Sequence, residues 1–246
     1  MITNDRRIIY YTMCLLFMYA FQNKSMAQKT ILNDPLTSTI VVDGEINKIG
    51  KGGQFTAKGW QATEQGGYLL IECTDEAGFE GTLEVDILNF DVQNIESNNG
   101  ESKIHFINMF SNSIADHHTK HGGTATDALW TLRTGTDDKG KPRYGSGFKV
   151  LWASKGAKES ENSDYTEKTL LLPKDWKWNK TTNTFKITWS KNAKSIHFFV
   201  NKTLFLKGQW KNQESALRYI YLAKSPDFRT LTGPIFSNLK VYSNNK

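Results

Sequence analysis

The amino-acid sequence predicts an all-β protein, a two-sheet antiparallel β-sandwich, from three observations. Short runs rich in Val, Ile, Phe, Tyr, Trp and Thr recur along the chain, separated by clusters of Gly, Asn, Asp and Lys. Polar and apolar residues alternate within those runs, which is the period of a strand with one buried face, and helix signals are nearly absent. Eleven such runs plus an N-terminal segment are too many for one open sheet, whereas two packed sheets accommodate them. A chain of 246 residues with 14 Phe, 9 Tyr and 7 Trp can fill one large core. It is too apolar for a disordered chain, and two cysteines cannot staple a disulfide scaffold.

The N-terminus reads as a processed segment. Arg6 and Arg7 precede the apolar stretch Ile8–Phe21, and Ser25-Met26-Ala27 places small residues at the two positions a signal peptidase reads. Residues 1–27 are therefore expected to be a signal peptide and residues 28–246 a single domain, secreted, periplasmic or held at the cell surface. The apolar stretch falls short of the ~18 residues of a spanning helix, so no membrane span is expected after cleavage. Cys14 lies inside that stretch without a small residue just before it, which argues against a lipoprotein. Cys73 is then the remaining cysteine, and Leu69, Leu70 and Ile71 beside it predict burial. Removing Arg6, Arg7, Lys24 and Asp5 lowers the formal charge from +6 to +4. The remaining cations alternate with acids, which excludes a nucleic-acid footprint and leaves attraction to an acidic polysaccharide.

The strands follow in order. Tyr68–Cys73, Gly81–Phe90 and Lys103–Phe110 come first, then Ala128–Thr134, Gly147–Ala153 and Lys168–Leu172. Thr184–Trp189, Ser195–Asn201, Lys202–Lys207, Arg218–Leu222 and Ile235–Tyr242 complete the set. Leu83, Val85 and Ile87 alternate with Glu84 and Asp86. Phe185, Ile187 and Trp189 alternate with Lys186 and Thr188, and Ile196, Phe198 and Val200 with His197. The apolar sets of two sheets would form one core. No linker divides the chain, and strands are expected from about Thr30 to Ser243.

The segments Trp178–Trp189, Ser195–Leu204, Tyr219–Leu222 and Gly233–Tyr242 resemble the closing strands of concanavalin A-like lectin/glucanase jelly rolls (the LamG-like group among them). Gly52–Trp60 and Gly81–Phe90 are similar to the opening strands of that family. The resemblance implies a curved inner sheet whose concave face binds or cleaves glycans in relatives. Where the family often has Asp-Gly or Asn-Gly, this chain has Asn201-Lys202, which predicts a looser hairpin there. The family's structural Ca²⁺ would fall to Asp34, Asp43 or Asp227, although no ligand spacing selects them; no other cofactor is expected.

Candidate chemistry is sparse. Glu84 and Asp86 share a strand face, but Asn89 and Phe90 follow where a retaining glucanase needs its second glutamate, so a two-carboxylate mechanism is not expected there. With Ile104 and Phe106 in the core, Lys103 and His105 face outward; the same phase puts Arg133 and Lys149 outward from Leu132 and Val150. These cations suit a carboxylate-bearing or sulfated glycan, because Arg holds a carboxylate through two parallel hydrogen bonds. The expected centre of the site is His105, Arg133 and Lys149, with Lys103 beside them and Trp152 or Tyr165 as a stacking wall. If the site is catalytic, His105, Arg133, Tyr144 and Tyr165 are the candidates, with the cations stabilising an enolate and Tyr or His moving protons in a polysaccharide lyase. The lyase strand signatures Arg-x-Glu-x-Arg and Gln-x-His are absent.

Asp116, His117, His118 and His121 have a spacing that zinc accepts, but Gly122 and Gly123 make the segment a loop and no metal site is expected. Trp176, Trp178 and Trp210 are candidate sugar platforms, with at least half of them expected to pack in the core instead. No phosphate-binding Gly-Lys-Ser/Thr, dinucleotide fingerprint or Gly-x-Ser-x-Gly elbow occurs. Glycan recognition leads. A lyase or hydrolase of the same fold is the competing class, and a structural surface protein without sugar is the third.

Overall fold

The computed structural model describes residues 28–74, 78–90, 104–110, 128–134, 139, 148–153, 165–170, 175–209, 217–224 and 230–243, excluding the side chains of 128–133, 151–153 and 165–167. Fifteen strands account for the regular structure among these residues, and none of them is helical. They are β1 (Lys29–Asp34), β2 (Glu45–Lys51), β3 (Gly53–Thr56), β4 (Gly59–Ala62), β5 (Tyr68–Cys73), β6 (Glu80–Leu88), β7 (Ile104–Phe110) and β8 (Ala128–Thr134). There follow β9 (Phe148–Ala153), β10 (Tyr165–Leu170), β11 (Thr182–Ser190), β12 (Ser195–Val200), β13 (Thr203–Gln209), β14 (Tyr219–Leu222) and β15 (Ile235–Ser243). Each of the eleven expected runs forms a strand. The sixth of them, β10, begins earlier than expected, at Tyr165 rather than Lys168. Among the described residues no helix is long and apolar enough to cross a membrane.

The strands form two antiparallel sheets. Sheet A has eight strands in the order β13-β12-β11-β6-β15-β4-β3, with β1 also on β15; sheet B has seven in the order β10-β9-β8-β7-β14-β5-β2. β15 pairs with β6 along one edge and divides its other edge between β4 and β1. The half-buried alternation of β5, β11 and β12 turns one side of each strand inward. From sheet A, Leu83, Val85, Ile87, Phe185, Ile187, Phe198 and Val241 meet Leu69, Ile71, Ile107, Met109, Ile220 and Leu222 of sheet B in one core. Each fully buried side chain of this size contributes about 1.5–3 kcal/mol relative to exposure. Phe90, Phe106, Phe148 and Phe185 pack at ring separations of 5.0–6.1 Å, mostly tilted or edge-on as ring quadrupoles prefer. Gly81 admits Trp189: a Cβ there would stand 2.7 Å from the indole.

One expectation is corrected here and a second, that at least half of the three candidate tryptophans pack in the core, is met. The hairpin between β12 and β13 is tight, not loose. Val200 pairs with Thr203 across a two-residue turn in which Asn201 (φ 47) and Lys202 (φ 69) are both left-handed, so a lysine takes the place usually given to glycine. Trp176 and Trp178 are not exposed platforms: both are half-buried against the core, Trp176 edge-on to Phe205 at 4.9 Å and Trp178 edge-on to Phe90 at 5.0 Å. Trp210 lies outside the described residues.

Candidate functional site on the outer face of sheet B

The ladder of sheet B aligns three of the seven candidate residues. In the ladder Arg133 of β8 stands opposite His105 of β7 on one side and Lys149 of β9 on the other, so the three form one cross-strand row. This register depends on an irregularity in β7 between His105 and Ile107, where Phe106 is an extra residue facing the core. Lys149 is half-buried between core residues Phe148 and Val150. His105 departs from expectation: it is only 1% exposed, because every residue of β7 is buried on both faces. Trp152 pairs with Thr166 of β10 in the ladder, and its side chain lies outside the described residues. Tyr165 opens β10 at the sheet edge, paired with Ala153. Lys103, Tyr144, Asp227 and residues 116–121 lie outside the described residues.

Beside the row lies a pocket of about 370 Å³ that sequence reasoning missed, with Lys51, Glu64, Tyr68, Tyr221 and Lys224 in its lining. Lys51 is the last residue of β2 and pairs with Tyr68, the first of β5. The rings of Tyr68 and Tyr221 are 5.9 Å apart. On β7, Asn108 pairs with Tyr221 and is fully buried; its Nδ2 donates to Lys224 O at 3.3 Å, while Oδ1 has no hydrogen-bond partner. Ala223 ends β14 at φ 69, held there by its N–H donating to Phe106 O at 3.0 Å and its carbonyl accepting from Leu231 N at 2.7 Å. That turn delivers Lys224 to the pocket. The opposite wall is pinned by Thr230, whose Oγ1 accepts from Gly66 N at 3.0 Å and whose N–H donates to Gln65 Oε1 at 3.2 Å. Neither the Lys51 nor the Lys224 ammonium has an ion-pair or hydrogen-bond partner among the described residues, so with Glu64 the pocket carries one uncompensated positive charge. Farther along the face Glu72 is held by Arg218 Nη2 at 3.1 Å and by the Tyr219 hydroxyl at 3.2 Å.

The remaining candidates lie elsewhere. Glu84 and Asp86 are on the outward face of sheet A, where Glu84 pairs with Lys186 at 3.0 Å and Asp86 accepts from Thr184 Oγ1 at 2.6 Å and Asn238 Nδ2 at 2.9 Å. Asp34 is buried: its carboxylate meets Lys48 Nζ and accepts Leu36 N at 2.8 Å, which occupies the oxygens that a calcium ion would need. Lys48 also reaches Glu45 Oε2 at 3.1 Å and donates to Ile40 O at 2.7 Å. Burial, the Asp34 hydrogen bond and the Asp34 charge push the Glu45 carboxyl up to about 7. Among the described residues no three His, Cys, Asp or Glu side chains converge as a metal site. Cys73 is buried, and desolvation raises its thiol to about 12, which leaves it unreactive.

No family model matches the chain, and no curated protein matches it. Solved structures do. The receptor-binding domain of botulinum neurotoxin mosaic serotype C/D superposes with a TM-score of 0.52 at 11% identity, over 87% of this chain and 47% of that one, so this chain spans under half of its length. The alginate lyase AlyC3 matches at 0.47 with 12% identity, over 72% of this chain and 71% of that one. The carbohydrate recognition domain of Emp47p matches at 0.49 with 8% identity, over 90% of this chain and 99% of that one. At these identities the likeness is one of fold: an all-β, two-sheet antiparallel jelly-roll sandwich.

Proposed function

We propose that the protein is a secreted glycan-recognition module that binds an acidic polysaccharide across the outward face of sheet B. The observation that carries this reading is the pocket in which two unpaired ammonium groups, Lys51 and Lys224, flank the Tyr68 and Tyr221 rings. Aromatic faces accept the C–H face of a sugar ring, and lysines accept its carboxylate or sulfate. Lys149 of β9, half-buried, and its ladder neighbour Arg133 of β8 would extend the binding face across the sheet, whereas His105 is covered. The mild positive charge of the chain agrees with such a partner.

A second reading is eliminative cleavage of a uronate polymer by Arg133 and its ladder neighbour His105, which requires the covered His105 imidazole, 1% exposed, to be opened to the substrate. A cation at the carboxylate and a proton-moving imidazole are what such a reaction requires. One panel separates these functions. Acidic polysaccharides are tested for retention and for the absorbance of unsaturated uronate products. Retention with flat absorbance traces, lost in a Lys51→Ala/Lys224→Ala variant, supports the binder. Rising absorbance assigns the lyase. No retention on any polymer overturns both and leaves a structural surface protein.

A further inference from the structure

The outward face of sheet A carries a second depression, of about 650 Å³, on the opposite side of the sandwich. Its floor is a cross-strand row in which Phe199 of β12 stands opposite Lys186 of β11, and Lys186 opposite Glu84 of β6. Lys186 Nζ lies 3.0 Å from Glu84 Oε1 and 5.9 Å from the centre of the Phe199 ring. Phe199 is thus a partly buried ring, out of phase with the core residues Phe198 and Val200, opposite the exposed Leu204 and edge-on to His197 at 6.4 Å. Thr182, Thr184 and the Asn201-Lys202 turn form part of the rim.

The polar groups of this rim are not equally occupied. Asn201 Oδ1 accepts Thr184 N at 2.9 Å and its Nδ2 donates to Asn183 Oδ1 at 2.8 Å, so that side chain is committed to the turn. Glu84 and Lys186 neutralise each other. Lys202 does neither: among the described residues its ammonium has no ion pair or hydrogen bond, and it leaves the depression with one uncompensated positive charge. Its backbone is also strained, at φ 69 in a turn position that glycine occupies without cost. Strain of this kind persists where the side chain is needed. Thr184 Oγ1 is committed to Asp86, so the Phe199 ring, the Thr182 hydroxyl and one free cation, in a volume typical of small-ligand sites, are what would match a sugar bearing one acidic substituent.

We propose that this depression is a second carbohydrate site, which takes a hexose unit carrying one carboxylate or sulfate, stacked on Phe199 and paired with Lys202. The site does not depend on the sheet B reading. With both faces occupied, one molecule joins two polysaccharide strands, and linked sites raise avidity without new contacts.

The test is calorimetric titration of the Lys51→Ala/Lys224→Ala variant, in which the sheet B pocket has lost its cations. The probes are an oligogalacturonide trisaccharide for carboxylate and a carrageenan-derived tetrasaccharide for sulfate. One of them is expected to bind this variant, and which one does so identifies the acidic group. Adding Phe199→Ala should weaken that binding by about 3- to 10-fold. Adding Lys202→Gly should weaken it to a similar extent while raising Tm, because glycine relieves the turn. A lysine with only a turn role would give the rise in Tm with unchanged affinity. Unchanged affinity in both added variants, or binding of neither probe, overturns the proposal. Wild-type protein that binds with the same stoichiometry as the double variant counts against the sheet B site alone.

Discussion

Asn183 makes the densest use of one side chain in the described structure. Fully buried on β11, it accepts Asn179 N at 2.9 Å and Asn201 Nδ2 at 2.8 Å, and donates to Asn179 O at 2.8 Å and Phe90 O at 3.3 Å. It therefore ties the β12–β13 turn to the loop before β11. Asn183→Ala leaves these groups buried without partners and should cost about 2–4 kcal/mol in denaturant unfolding, and Asn183→Asp should recover only the accepting half. Glu45 carries a different signature. A carboxyl that holds its proton up to about 7 when folded stabilises the fold fully below the ordinary carboxylate range, and that contribution is lost as pH climbs through about 7. Between about pH 5 and pH 8 the Tm of wild type should fall relative to that of Glu45→Gln, measured by thermal melts in matched buffers. Parallel curves would show that Asp34 and Lys48 leave Glu45 unperturbed.

At the scale of strands, the row His105–Arg133–Lys149 depends on one extra residue in β7. If Arg133 holds a ligand carboxylate, Arg133→Ala should weaken polysaccharide binding by ~1.5–3 kcal/mol, and Arg133→Lys should restore part of that because the planar fork is lost. Wild-type affinity in Arg133→Ala would remove the row from the site. The long alternating strands were legible in the sequence because each has one face in the core, as Phe185, Ile187 and Trp189 do on β11. β1 and β2 were legible only as an N-terminal segment, and β3 and the start of β4 only through the resemblance of Gly52–Trp60 to opening strands. Ile46 and Ile49 of β2 are 51% and 41% exposed, so apolar character there does not mark a buried face. The pocket was missed although Tyr68 alternates visibly with Leu69, because Lys51, Tyr221 and Lys224 arrive from distant strands and only the ladder joins them. His105 was read as outward; it is 1% exposed, and alternation in the sequence does not report what covers a residue on either face.

For the whole molecule, the two sheets differ in what they require. Sheet B is assembled from β2, β5, β7–β10 and β14, whereas β15 supplies pairing edges to β6, β4 and β1 at once. Truncation after Thr232 should abolish soluble folded protein, because it strips Phe236, Leu239 and Val241 from the core, leaves β1 without a pairing partner and bares one edge each of β6 and β4; recovery of a β-type circular dichroism spectrum and cooperative melting from the truncated chain would contradict this.

That dependence on β15 also sets a time order for the life of the chain. β1 is made first and β15 last, yet they pair from Lys29↔Ser243 to Asp34↔Leu239. Contacts between the two ends of a polymer form late, since loop closure must come first. Sheet A therefore cannot close until β15 has been made, so while β1 to β14 emerge the chain has no finished sheet A to resist being drawn through a narrow conduit, an interval set by the order of strands alone.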